Sequence, residues 1–100
     1  MRVGIIGGGV AGLAAAYHLT KQGHFAEVFE QAGFLGGQAS TFDVFGGRLE
    51  RGYHHLFVSD TEITELIDEL GLGDKLAWLE SSVGFYHGGT IWDFASPMDL

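Results

Sequence analysis

Cysteine is absent from these 100 residues, so neither a disulfide nor a thiolate metal site can form within them. This absence suits a reducing compartment, and we expect a cytoplasmic protein. Basic residues are also scarce, since five Lys or Arg face 13 Asp or Glu and the formal charge is −8. Nucleic acid and anionic membrane surfaces would repel such a chain, so we expect no nucleic-acid partner, while membrane association of the whole protein is left open. The apolar stretches are short and interrupted by glycine, which predicts no membrane span, and Met1-Arg2 leads directly into a strand without a signal peptide.

Glycine, in contrast, is abundant, and three glycines form a motif near the N-terminus. The apolar run Val3–Ile6 is followed by Gly7, Gly9 and Gly12 in the spacing G-x-G-x-x-G. We predict a buried strand, a tight turn, and a helix from Val10 to Gln22. Gly7 allows the turn, Gly9 lets a pyrophosphate approach the backbone, and Gly12 lets the helix pack closely on the strand. The helix amides and dipole then form an anion site.

A second strand is predicted from Ala26 to Glu30, and Glu30 lies 18 positions after Gly12. An acidic residue at this place is suited to accept hydrogen bonds from an adenosine ribose. It would repel a cofactor that carries a 2′-phosphate. The alternative is that Glu30 is a solvated charge and that the glycines serve packing alone.

These elements predict an α/β fold, namely the N-terminal βαβ part of a Rossmann-like domain with short β-hairpins and an amphipathic helix. Two parallel strands cannot cover both of their faces, so we expect the domain to be incomplete without downstream chain. We divide the chain into a dinucleotide-binding core at about residues 1–57 and a helix and hairpin at 58–100 that lead toward a substrate domain.

The segment after Glu30 carries a family resemblance, because Gly36-Gly37 follows six and seven positions later. This pattern resembles the flavin-containing amine oxidase, protoporphyrinogen oxidase and phytoene desaturase superfamily. The resemblance implies FAD as cofactor, with Gly36-Gly37 near its pyrophosphate and ribityl chain. That family usually has a basic residue next, where this chain has Gln38. By the same resemblance, Glu50-Arg51-Gly52 opens a segment beside the flavin that includes Tyr53, His54 and His55.

Three further patterns concern the rest of the chain. The hairpins are predicted at residues 39–50 around Phe45-Gly46-Gly47 and at 83–94 around Gly88-Gly89. The aromatic residues of the second hairpin belong either to a core or to a substrate cavity. Ser59 and Glu62 fit a capping box that begins an amphipathic helix. The adjacent His54 and His55 point to opposite sides of an extended chain, so we expect no metal site.

The leading hypothesis is an FAD-dependent oxidoreductase of the amine oxidase and desaturase type, which transfers hydride from a small organic substrate to the flavin. One alternative is a flavoenzyme like UDP-galactopyranose mutase, and another is a non-catalytic NAD-binding module. No catalytic residue is assigned. The predicted cofactor-binding residues are Gly7, Gly8, Gly9, Val10, Ala11, Gly12, Glu30, Gln31, Gly36, Gly37, Gln38, Gly52, Tyr53, His54 and His55.

Overall fold

The computed structural model describes residues 1–80 and 82–94. The chain divides into two compact units, Met1–Phe57 and Val58–Leu100. No helix within those described residues is long and apolar enough to cross a membrane.

The first unit opens with a βαβ arrangement. Strand β1 (Arg2–Ile6) leads into helix α1 (Val10–Lys21), which leads into strand β2 (Phe25–Phe29). The two strands pair in parallel, with Val3 opposite Ala26 and Ile5 opposite Val28. The predicted strand, helix and strand are therefore confirmed, with ends that differ by one residue.

The two faces of this sheet differ in exposure. Val3, Ile5 and Val28 are half-buried on the face toward α1, where a Cβ at Gly12 would lie 3.4 Å from Cγ2 of Ile5. On the opposite face Ile6 is 88% exposed, and Phe25 and Phe29 are also exposed. Helix α1 therefore covers one face of the sheet and leaves the other to solvent.

A second sheet follows β2 within the same unit. After a turn of 3-10 helix at Gly37–Ala39, strand β3 (Thr41–Val44) pairs antiparallel with β4 (Gly47–Glu50). The predicted hairpin is confirmed, but its turn is Phe45-Gly46, and Gly47 belongs to β4. Ala39 does not belong to β3, the first strand of the hairpin. The amides of Ala39 and Ser40 instead donate hydrogen bonds to the carbonyls of Gly36 and Gly37, respectively, and so close the 3-10 turn.

The second unit contains helix α2 (Thr61–Glu69), a 3-10 turn at Gly73–Lys75, and the hairpin of β5 (Gly84–His87) and β6 (Thr90–Asp93). The two-residue Gly88-Gly89 turn is confirmed, since His87 pairs with Thr90. Phe85, Tyr86 and Trp92 are exposed in this chain, so their place in a core or in a substrate cavity stays a prediction.

The predicted capping box is wrong. The helix begins one residue later than expected, so Asp60 is its N-cap and forms no side-chain capping hydrogen bond. The carboxylate of Glu62 instead accepts a hydrogen bond from the Thr61 hydroxyl, with an O···O distance of 3.3 Å. The apolar spacing located this helix, but it did not fix the residue at which the first turn begins.

Candidate cofactor-binding site

The bend after β1 is fixed by backbone contacts. Gly7 has a φ of 101°, a conformation that residues with a side chain rarely adopt. Its amide donates a hydrogen bond to the carbonyl oxygen of Phe29, with an N···O distance of 2.8 Å. A Cβ at Gly12 would collide with the carbonyl oxygen of Gly7. Gly7 therefore forms the turn and Gly12 allows the helix to begin directly against it, as predicted.

Gly9 plays a different part in this bend. Its φ of −76° and ψ of 180° are open to any residue, and a Cβ built there would have no atom within 4 Å. Neither its conformation nor its packing within the described residues therefore requires glycine. The open space beside Gly9 is the kind of cradle that a pyrophosphate approaching the backbone would fill.

The start of α1 provides hydrogen-bond donors at this cradle. The amide of Leu13 makes the first helical bond, to the carbonyl of Gly9, so the amides of Val10, Ala11 and Gly12 have no partner inside the helix. No acidic residue lies in the first turn, and no side chain caps it. These donors and the positive end of the helix dipole suit a diphosphate.

The carboxylate of Glu30 lies at the same bend, immediately after β2. Its Oε2 accepts a hydrogen bond from the Gly8 amide at 2.6 Å, and its Oε1 accepts one from the Ala32 amide at 2.7 Å. Hydrogen bonds from Ala32, Gly8 and, more weakly, Gln31 hold the pKa of Glu30 below its ordinary value against a smaller opposing effect of desolvation. A carboxylate has about four acceptor positions, so a ribose hydroxyl can still bind.

Gly8 has a structural role that the glycine spacing alone did not reveal. It is buried, and a Cβ there would lie 2.6 Å from Cδ2 of Leu35 and 3.2 Å from Cβ of Glu30. Its amide binds Glu30, and its carbonyl accepts the Gly36 amide at 2.7 Å. One indication of this role is present in the sequence, namely the unbroken run Gly7-Gly8-Gly9. Gly8 occupies an x position of the G-x-G-x-x-G motif, where the motif itself does not call for glycine.

The Gly36-Gly37 segment lies against the bend. Gly36 and Gly37 have φ values of 100° and 57°, and Gly36 forms a parallel bridge with Gly9. A Cβ at Gly37 would lie 3.3 Å from the Cα of Gly9. The two glycine motifs, separated by about 25 residues of sequence, therefore meet backbone to backbone.

The segment after β4 contacts the chain just beyond Gly37. The Gly52 amide donates to the Gln38 carbonyl at 3.1 Å, and a Cβ at Gly52 would lie 2.7 Å from Cβ of Gln38. Only a glycine allows this approach without displacing Gln38.

The two histidines of this segment face different neighbours. His54 Nδ1 lies 2.9 Å from the Gly52 carbonyl oxygen, and its Nε2 lies 3.6 Å from Oε1 of Glu50. The ring of His55 makes edge contacts with Tyr53 and Phe57, with centroids 5.2 and 4.8 Å apart. Across residues 1–80 and 82–94, no group of three or more histidine or acidic side chains is arranged to hold a metal.

The structure thus brings together Gly7–Gly12, Glu30, Gly36 and Gly37 around one cradle. Gln31 follows Glu30 directly, and Gln38 follows Gly37. Gly52 contacts Gln38, because its amide donates a hydrogen bond to the Gln38 carbonyl. The contacts of Tyr53, His54 and His55 are with Glu50, Gly52, Phe57 and one another. Their expected place beside a flavin stays a prediction.

The βαβ fold, the glycine bend and the acidic end of β2 define a Rossmann-like dinucleotide-binding chain. The chain belongs to the NAD(P)-binding Rossmann-like domain family, whose match covers residues 5–70. The predicted fold class is confirmed.

Curated relatives refine this assignment. The chain is 42% identical to mitochondrial protoporphyrinogen oxidase of Nicotiana tabacum and 34% identical to zeta-carotene desaturase of Zea mays, over 99% and 98% of its length. It is 37% identical to 15-cis-phytoene desaturase of Synechococcus elongatus over 85% of its length. The chain spans 18–20% of the length of these relatives.

Solved structures agree with the sequence relatives. A structure of putrescine oxidase superposes with a TM-score of 0.65 and 37% identity, covering 71% of this chain and 16% of the oxidase. Another putrescine oxidase structure matches 96% of this chain at a TM-score of 0.66 and 27% identity. These proteins belong to the flavin amine oxidase superfamily, so the resemblance predicted from Glu30 and Gly36-Gly37 is confirmed.

Proposed function

We propose that this chain holds the ADP portion of FAD in an FAD-dependent oxidoreductase of the amine oxidase and desaturase type. The observation that carries the proposal is the Glu30 carboxylate, which is hydrogen-bonded to Gly8 at the bend where Gly9 leaves an open cradle. The resident partners are FAD and the remainder of the polypeptide, which supplies the substrate domain. The substrate is a small organic molecule.

Different residues of the chain bind different chemical parts of the cofactor. The amides of Val10, Ala11 and Gly12 bind the pyrophosphate beside Gly7, Gly8 and Gly9, and Glu30, next to Gln31, binds the adenosine ribose. Gly36, Gly37 and Gln38 border the pyrophosphate and ribityl chain, and Gly52 to His55 border the flavin. When bound, FAD would supply the acceptor for two electrons, which a substrate C–H bond would deliver as hydride. The chain itself binds and orients the cofactor.

Purification of the intact polypeptide tests the cofactor. We expect the absorbance bands of oxidised flavin in the wild-type protein and their loss in Gly9→Val, which fills the cradle, and in Glu30→Arg. A colourless protein that binds only NAD would overturn the proposal in favour of a non-catalytic NAD-binding module.

A second measurement separates the two flavoenzyme classes. An oxidoreductase bleaches its own flavin when an organic substrate is added without oxygen. A protein like UDP-galactopyranose mutase would require prior reduction and would interconvert a sugar nucleotide. The identities to two desaturases and to protoporphyrinogen oxidase favour the oxidoreductase.

The cellular compartment is a further part of the proposal. We propose a cytoplasmic location, supported by the absence of cysteine. Fractionation of cells that express the intact polypeptide, with antibody detection in each fraction, tests it. Recovery in an organelle fraction would contradict it.

A further inference from the structure

Arg51 follows β4 and lies against two aromatic rings from different parts of the first unit. Its guanidinium carbon is 4.1 Å from the ring centroid of Phe34 and 5.3 Å from that of Phe42. Both distances are within the range of a cation–π contact. Phe34 precedes the Gly36-Gly37 pair, and Phe42 lies on β3 after it, so one side chain contacts both flanks of segment 34–42.

The backbone around Arg51 reaches the middle of the same segment. The Arg51 amide donates to the Ser40 carbonyl at 2.9 Å, and the next amide, that of Gly52, donates to Gln38 at 3.1 Å. The segment in turn reaches the cofactor cradle, because the Gly36 amide donates to the Gly8 carbonyl at 2.7 Å. Hydrogen bonds at both parts of segment 34–42 thus connect residues 51–52 with the bend.

Segment 34–42 has a reason to need such support. Gly36 and Gly37 have positive φ and carry no side chain to hold them, so the segment has many accessible conformations when it is not restrained. Ordering it only when the cofactor binds would reduce affinity by the entropy lost at that moment. Contacts made before binding remove that cost.

We infer that Arg51 is a positioning residue, whose side chain orders segment 34–42 against the glycine bend in advance of cofactor binding. This inference rests on the proposed function for the identity of the cofactor. It differs from a direct role of the Arg51 charge in attracting an anionic dinucleotide. The two roles separate experimentally because the rings can be removed without changing the charge.

The test uses four variants of the intact polypeptide. Arg51→Met removes the charge and with it both cation–π contacts, and Arg51→Lys retains a cation. The double variant Phe34→Leu, Phe42→Leu removes the rings alone. Arg48→Met is the matched control, because it removes one positive charge from β4, where Arg48 lies opposite Asp43.

Two measurements are made on each variant. Hydrogen–deuterium exchange of the peptide spanning 34–42 is recorded without cofactor, and the FAD dissociation constant is measured by equilibrium dialysis. For Arg51→Met we expect exchange to accelerate and FAD affinity to fall about 5- to 30-fold, the equivalent of two cation–π contacts. The double ring variant should behave like Arg51→Met. Arg51→Lys should stay within about threefold of wild type, since lysine also makes cation–π contacts.

The outcomes that overturn the inference are specific. If Arg48→Met weakens FAD binding as much as Arg51→Met, the effect is one of net charge. If exchange of segment 34–42 is unchanged in both Arg51→Met and the double ring variant, Arg51 does not order it. If Arg51→Met fails to fold, the double ring variant and Arg51→Lys still decide. A wild-type protein that binds no FAD would refute the proposed function, while the exchange measurement would still judge the role of Arg51.

Discussion

At the scale of single residues, Glu30 has a structural role in addition to its proposed binding of a ribose. Its two carboxylate oxygens accept hydrogen bonds from the amides of Gly8 and Ala32 and so connect the end of β2 to the glycine bend. These hydrogen bonds are stronger when the carboxylate is ionised. Part of the shape of the cradle therefore depends on the protonation state of one side chain.

The first prediction follows from the lowered pKa of Glu30. A group whose pKa is lower in the folded than in the unfolded state stabilises the fold above the unfolded value, and this stability is lost as the pH falls through the folded value. Urea denaturation of the cofactor-free intact polypeptide should therefore show Glu30→Gln to be less stable than wild type at pH 7. The difference should shrink as the pH falls below about 4.5, the ordinary value for this group.

A second carboxylate, on β2 itself, provides the control for Glu30→Gln. Glu27 lies on β2 with 52% of its side chain exposed and is 3.7 Å from Arg2. Glu27→Gln should change stability by less than about 1 kcal/mol at pH 7, as expected for an exposed ion pair. A Glu30→Gln effect that does not vary with pH would contradict the assigned role.

The second prediction contrasts two glycines of one motif. Gly9→Ala should leave the free energy of unfolding unchanged or raise it by about 0.4–1 kcal/mol, because its backbone conformation suits alanine and no atom opposes the new Cβ. Gly12→Ala should lower it by about 1–3 kcal/mol, since the Cβ would strike the Gly7 carbonyl. Denaturation curves without cofactor measure both.

FAD titration completes this comparison. Gly9→Ala should lose affinity although its fold is intact, because the methyl group occupies the cradle. Retention of wild-type affinity by Gly9→Ala would show that the pyrophosphate lies elsewhere.

At the scale of elements, the β3–β4 hairpin contains an unfavourable turn residue. Phe45 and Gly46 have φ values of 48° and 82°, so both central residues of the two-residue turn are left-handed. Asn-Gly is the preferred pair for this turn, whereas phenylalanine carries a steric cost of about 1–2 kcal/mol. The Phe45 side chain is fully exposed and gains no packing in return.

The third prediction is that Phe45→Asn stabilises the fold by about 1 kcal/mol, measured as a higher denaturation midpoint with an unchanged slope. Phe45→Leu is the control, because it removes the ring but keeps a side chain unsuited to positive φ. A loss of stability in Phe45→Asn would indicate that the ring contacts another part of the intact polypeptide.

The same scale shows how far the sequence predicted each element. Apolar periodicity located β1, α1, β2 and α2, and glycine pairs located both hairpins, because burial and turn geometry constrain those residues directly. The first turn of α2 and the start of β3 were not predicted correctly. Those boundaries depend on local hydrogen bonds, such as those that close the 3-10 turn before β3, which spacing does not resolve.

At the scale of the whole molecule, the βαβ unit leaves one face of its sheet uncovered. Ile6, Phe25 and Phe29 lie exposed on the side away from α1. The chain spans 18–20% of the length of the three curated relatives named above, and we propose that the remainder of the polypeptide covers this face.

The fourth prediction uses Ile6, which is 88% exposed in this chain. Ile6→Ala should lower the stability of the intact polypeptide by about 2–5 kcal/mol, because a buried isoleucine would leave a cavity. Val3→Ala, on the face that α1 covers, should also be costly. An effect of Ile6→Ala below about 0.5 kcal/mol, the size expected for an exposed side chain, would show that the face stays exposed.

The sequence by itself determined the βαβ order, the glycine bend and the acidic end of β2, because these features are local and each requires a particular residue type at a particular spacing. Only the tertiary structure decided that Gly36-Gly37 touches Gly9, that buried Gly8 connects Glu30 with that segment, and that Arg51 spans Phe34 and Phe42. These contacts join residues far apart in the chain. They depend on how the loops fold back over the bend. The spacing of residues along the sequence does not determine which distant residues come into contact.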